Sequence, residues 1–205
     1  MLAAASAILT LFGHYQGKRQ WVYLFKPLTT ALILVVSLTA GGWRFAPYTL
    51  WIAFGLIFSI AGDVLLMLPG NRFIPGLASF LCAHILYTVA FLTRKPDSLF
   101  YWPLLPMALY GFLIFRMLSR FLGHYRKPVM VYIIVIVAMS WQAWETVFRL
   151  SARPALLAGT GAVLFMLSDS ILAWNRFRRP FQSAEAIKLG LYYTAQWMIA
   201  LSTSP

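Results

Sequence analysis

The stretch PYTLWIAFGLIFSIAGDVLLML, residues 47–68, holds one charged residue in 22 positions. At about 1.5 Å per residue, a helix of that length matches a hydrocarbon core of roughly 30 Å. Comparable apolar runs recur from end to end, separated by short basic or Pro/Gly-containing breaks. Charged residues make up 11% of the 205 positions and hydrophobic ones 61%, where a soluble domain carries about 25% charged residues. The chain reads as an all-α, polytopic transmembrane helix bundle, a single domain over 1–205.

Eight spans can be read, near 1–16, 27–43, 47–68, 73–93, 98–118, 128–148, 154–174 and 184–204. The first is the weakest, being short and interrupted by His14 and Gln16. A cleaved signal peptide is its rival, but no positive region precedes the apolar stretch. The connections, about ten residues at most, leave no room for a soluble domain.

The net charge of +12 invites a nucleic-acid reading, but its distribution argues against one. With eight spans, twelve of the seventeen Lys and Arg fall in one alternate set of connections. Arg44, Arg94, Lys95, Arg149 and Arg153 fall in the other. The positive-inside rule then places the richer set in the cytoplasm and both termini outside, as in a bacterial inner membrane protein. Membrane lipids, not nucleic acid, are the expected surroundings. Cys82 is the single cysteine, so an internal disulfide or a cysteine-based metal site is excluded.

Five acidic residues occur in all, and two interrupt apolar runs: Asp63 in AGDVLLMLP and Asp169 in LSDSILAWN. In this topology both spans run from outside to inside, and each aspartate lies ~9 Å from its cytoplasmic end. The surrounding stretches GDVLLMLPGNRF and SDSILAWNRF share a small residue, Asp, aliphatics and a terminal Asn-Arg-Phe, as a weak internal duplication would leave. An ionised Asp at mid-membrane costs ~2.5–3.5 kcal/mol, so both should face the bundle interior. Gly55, Ser59 and Gly62 form a small-residue stripe that admits a neighbouring helix. A structural alternative is that each Asp only bonds a neighbouring hydroxyl or lysine. Two at one depth favour a joint chemical role.

Other polar groups lie in the spans. His84 and Tyr87 share a face of the fourth, and Tyr192, Tyr193 and Gln196 adjoining faces of the eighth. A lone membrane histidine is more often a packing hydrogen-bonder than a catalyst. Lys26, just before Pro27, is expected to snorkel to the headgroups unless something anionic sits beside it. Glu145 can pair with Arg149 at i, i+4. The three histidines sit in unrelated segments, so no metal site is expected, and no cofactor motif is present.

The motifs FKPLTT, GDVLLM, FLCAHILY, LSDSILA and YYTAQ, in that order, resemble the YhhN family of integral membrane proteins, which includes the animal lysoplasmalogenases. The resemblance implies eight spans and hydrolysis of the vinyl ether bond of lysoplasmalogens to a fatty aldehyde and a glycerophospho-base. It also implies that Asp63 and Asp169 are the catalytic pair. The chemistry suits two carboxyls: protonation at carbon gives an oxocarbenium ion that water captures, a problem related to that of glycosidases. Two aspartates close together in low dielectric cannot both ionise easily, so one is expected to hold a proton. His84, Tyr87, Tyr192 and Gln196 are candidates to position water or substrate, and Lys26 to meet the lysophospholipid phosphate. A proton-coupled lipid or small-molecule transporter is the alternative. An intramembrane aspartyl protease fits less well, since its GxGD signature is only AGD here and its YD partner is absent.

Overall fold

The computed structural model describes residues 1–42, 46–94 and 101–204. The described residues form eight α-helices and no strand: α1 (Leu2–Tyr15), α2 (Arg19–Ala40), α3 (Pro47–Met67), α4 (Phe73–Thr93), α5 (Leu104–Leu118), α6 (Arg126–Leu150), α7 (Arg153–Phe177) and α8 (Ala184–Leu201). By length and composition, α2, α3, α4, α6 and α7 can each cross a membrane. The other three are shorter, and α8 carries Glu185 and Lys188 in its opening turns. The 14 residues of α1 reach ~21 Å, less than a full hydrocarbon core.

Local chemistry explains the helix ends. Pro47 and Pro154 sit in the first turns of α3 and α7, where a missing N–H costs nothing. Pro69 forces Leu68 into extended backbone and stops α3, and Gly70 takes a φ of 82° to complete the turn. The second span does not open at Pro27, as the sequence suggested. Helix α2 begins at Arg19 and holds Pro27 inside it. One proline removes one backbone donor, a loss that packed neighbours accommodate within a membrane bundle. Lys26, expected at the headgroups, is therefore inside α2 and buried. Lys188 likewise belongs to α8 rather than to a basic connection. Arg44, Lys95 and the first residues expected in the fifth span lie outside the described residues.

The packing follows an approximate two-fold pattern between α1–α4 and α5–α8. Each half pairs its first helix with its second, its second with its third, and its third with its fourth. The fourth helix of each half crosses to the second of the other, so that α4 packs on α6 and α8 on α2. The two Asn-Arg-Phe segments meet in the middle: the Phe73 and Phe177 rings lie edge to face at 5.4 Å, and Arg176 stacks over Phe73. The small-residue stripe of α3 faces α4, where a Cβ at Gly55 would fall 2.2 Å from the Tyr87 ring and one at Gly62 2.6 Å from Phe80. Large apolar side chains cover the outer surface, as a lipid-facing bundle requires.

Candidate active site

Helix α3 delivers Asp63 into a nest made by α2 and α8. Lys26 Nζ lies 3.2 Å from its Oδ1. Its Oδ2 accepts hydrogen bonds from the hydroxyls of Thr30 (2.7 Å) and Tyr192 (2.8 Å). Lys26 and Thr30 lie four apart in sequence on α2, which aims both at one point. A second layer steadies Tyr192: the Gln196 amide approaches its hydroxyl at 3.4 Å, and Tyr87 donates to Gln196 Oε1 at 2.7 Å. The Asp63 side chain is 1% exposed. A carboxylate so deeply placed needs a counter-charge and donors, and it has both.

Helix α7 delivers Asp169 into the corresponding nest made by α6 and α4. Its Oδ2 accepts a hydrogen bond from the Tyr132 hydroxyl of α6. The His84 Nε2 of α4 stands 3.9 Å away, too far for a hydrogen bond. His84 is fully buried between the rings of Tyr132 and Phe165, and neither ring nitrogen has a hydrogen-bond partner. Among the described residues, no lysine or arginine pairs with Asp169 in the way that Lys26 pairs with Asp63, and its side chain is 15% exposed.

The two nests open into one small pocket with a cavity volume of about 30 Å³. Asp63, Asp169, Lys26, Lys188 and Tyr192 line it, with Leu66, Phe80, Leu172 and Leu189 as its apolar wall. Lys188 Nζ donates to Glu185 at 2.6 Å, and Ser168 donates to the Lys188 carbonyl at 2.9 Å, which ties α7 to α8 at the rim. A second, apolar pocket between α4, α5, α6 and α7, with a cavity volume of about 50 Å³, adjoins it, because Asp169 and Leu172 line both.

Of the residues singled out in the sequence, Asp63, Asp169, Lys26 and Tyr192 are therefore brought together. His84 stands behind Asp169, while Tyr87 and Gln196 reach Asp63 only through Tyr192. The anionic neighbour that would keep Lys26 from snorkelling is Asp63 itself. Thr30, Tyr132 and Lys188 were missed. Thr30 ends the FKPLTT motif, and Tyr132 follows a second Lys-Pro, Lys127-Pro128, that echoes Lys26-Pro27. That repeat was a usable signal. Among the described residues, no three His, Cys, Asp or Glu side chains cluster as a metal site would require. Glu145 and Arg149 do pair, at 2.8 Å, away from the pocket.

An all-helical bundle of apolar helices, with Asp63 buried beside Lys26 and Asp169 partly buried on the same pocket, defines an integral membrane protein. The profile of the YhhN family matches residues 21–203. The chain belongs to that family. It is 32% identical over 198 residues to the uncharacterized membrane protein YhhN of Escherichia coli O157:H7, covering 96% of this chain and 94% of that one. It is 33% identical over 173 residues to the lysoplasmalogenase TMEM86B of Homo sapiens, covering 82% and 71%. With the lysoplasmalogenase TMEM86A of Bos taurus it shares 34% over 152 residues, covering 72% and 62%. No solved structure matches the chain.

Proposed function

We propose that this protein is a membrane-embedded hydrolase that cleaves the vinyl ether bond of lysoplasmalogen-type lysophospholipids, with Asp63 and Asp169 as its acid/base pair. The observation that carries the reading is the shared pocket: both carboxyls line it in unlike states of compensation. Asp63 is matched by Lys26 and two hydroxyl donors, which suits a carboxylate. Among the described residues, Asp169 has only the Tyr132 hydroxyl at hydrogen-bond range, and it adjoins the apolar cleft, which suits a carboxyl that holds its proton. The lysoplasmalogenase relatives support the substrate class.

In this mechanism Asp169 delivers its proton to the β-carbon of the vinyl ether, and the oxygen-bearing carbon becomes an oxocarbenium ion. The Asp63 carboxylate stabilises the developing positive charge across the pocket. Water adds to the cation and gives its proton to the Asp63 carboxylate, leaving a hemiacetal. In its collapse Asp63 passes that proton to the departing glycerol oxygen while the hydroxyl proton goes to Asp169, releasing a fatty aldehyde and a glycerophospho-base. One water is consumed and both carboxyls end as they began. Lys26 and Lys188 supply the positive charge that a lysolipid phosphate would meet at the rim.

The test is aldehyde release from a lysoplasmenyl lipid in mixed micelles by the purified protein, with Asp63→Asn and Asp169→Asn as controls. A wild-type rate matched by either variant would sink the mechanism. The pH–rate profile should be bell-shaped, with both limbs belonging to the coupled pair.

The same reading places eight spans in a bacterial inner membrane with both termini outside, because the basic connections gather on one side. In a background without Cys82, single cysteines at Ser204 and Arg178 should label from opposite sides. Labelling from the same side refutes the orientation.

A further inference from the structure

The apolar cleft beside Asp169 comes within one layer of side chains of the outer surface of the bundle. Gly111 of α5 and Ile133 and Val137 of α6 line the cleft, and they also line a groove on the outer surface between α5 and α6. The wall between the two spaces is therefore a glycine set against two β-branched side chains. A Cβ at Gly111 would fall 2.8 Å from Val137 Cγ2 and 3.1 Å from Ile133 Cγ2. No α5 side chain stands at that point. The outer groove is bordered by exposed apolar residues, Phe112 and Ile134 among them, so its mouth faces the bilayer interior.

Helix α5 is also held more lightly than its counterpart α1. Helix α1 packs on α2 and α8, and Ser6 bonds to the Phe25 carbonyl and to Thr29 across the α1–α2 contact. Helix α5 packs on α6 and touches α7, where the Tyr110 hydroxyl donates to Ser170 Oγ at 2.9 Å. A helix of 15 residues with so narrow a contact can part from α6 at small cost.

We propose that the hydrocarbon chain of a single-chain lipid occupies the cleft between α4, α5, α6 and α7, entering from the bilayer between α5 and α6 past Gly111. The proposal builds on the lysolipid reading above and adds the place and route of the tail. Lipid in the outer groove alone would be ordinary for a membrane protein. The thin wall of Gly111, Ile133 and Val137 that the groove shares with the cleft lined by Asp169 and Tyr132 marks this one as a binding route. A chain lying in it puts the first carbons of the tail beside Asp169 and leaves the headgroup to the pocket of Lys26 and Lys188.

The experiment uses a lysophosphatidylcholine with a terminal diazirine on an ester-linked chain, photo-crosslinked to the purified protein in nanodiscs. The probe has no vinyl ether, so labelling stands or falls independently of the proposed hydrolysis. Label should appear on cleft-facing residues of α5 and α6, and excess unlabelled lysolipid should compete it away. Gly111→Leu should lower that label roughly tenfold or more, because over-packing closes the throat. Ile133→Trp should act in the same way from the α6 side. Label confined to lipid-facing surfaces, or unchanged in folded Gly111→Leu and Ile133→Trp proteins, overturns the proposal. Tail label in the cleft without aldehyde release from the vinyl ether substrate would retain the tail site and reject the hydrolase.

Discussion

The two halves of this bundle hold their aspartates on equivalent helices and treat them differently. Asp63, on the third helix of the first half, takes its partners from α2 and α8. Asp169, on the third helix of the second half, takes its neighbours from α6 and α4. The scaffold is the same, yet the first nest contains a lysine and two hydroxyls, and the second a tyrosine and an unbonded histidine. A repeated fold can therefore present two identical side chains in opposite electrostatic settings. An acid/base pair needs that asymmetry, since two carboxyls in matching sites would have matching proton affinities.

The largest expected consequence is in turnover. Asp63→Asn and Asp169→Asn should each lower vinyl ether hydrolysis by about 10²–10⁴-fold, and the double variant should be little worse than either, because the groups act as a unit. Additive losses, measured as aldehyde release per folded molecule, would separate the two halves and end the pairing.

Stability should distinguish the halves next. Asp63→Asn leaves Lys26 buried without a counter-charge, which typically costs about 3–5 kcal/mol. Asp169→Asn removes no ion pair to a lysine or arginine and should unfold close to the wild-type temperature. Adding Lys26→Met to Asp63→Asn should recover most of the loss. Equal melting of the two Asn variants in detergent would show that the nests are alike after all.

The smallest effect concerns single hydroxyls. Thr30→Val removes one of two hydroxyl donors to Asp63, so about 1 kcal/mol of stability should go, the usual net worth of a hydrogen bond. Tyr132→Phe removes the one hydroxyl bonded to Asp169 and should shift the pH–rate profile more than the unfolding midpoint. A midpoint shift in Tyr132→Phe larger than that in Thr30→Val would reverse the contrast.

Much of this arrangement was legible in the residues. The apolar runs give the eight helices because hydrocarbon length and helical rise leave few alternatives. Gly55 and Gly62 announced a close helix contact on α3 without saying that α4 makes it, and Asp63 and Asp169 announced an interior polar site because charge in an apolar run is costly. Two lysines escape a one-dimensional reading: Pro27 suggests a helix start but lies inside α2, which buries Lys26, and Lys188 looks like part of a basic connection but belongs to α8.

What the sequence by itself determined is the class of molecule, its helices and the residues that cannot face lipid. These follow from one-dimensional patterns and from the cost of charge in hydrocarbon. Which residue meets which was decided by the tertiary structure. Lys26 and Asp63 are 37 positions apart, and Tyr132 and Asp169 also 37, yet one contact gives an ion pair and the other a hydroxyl bond. Both contacts depend on the packing of α2 on α3 and of α6 on α7, because helix packing sets which faces converge. The joining of the apolar cleft to the polar pocket at Asp169 has the same cause, since no single segment contains both.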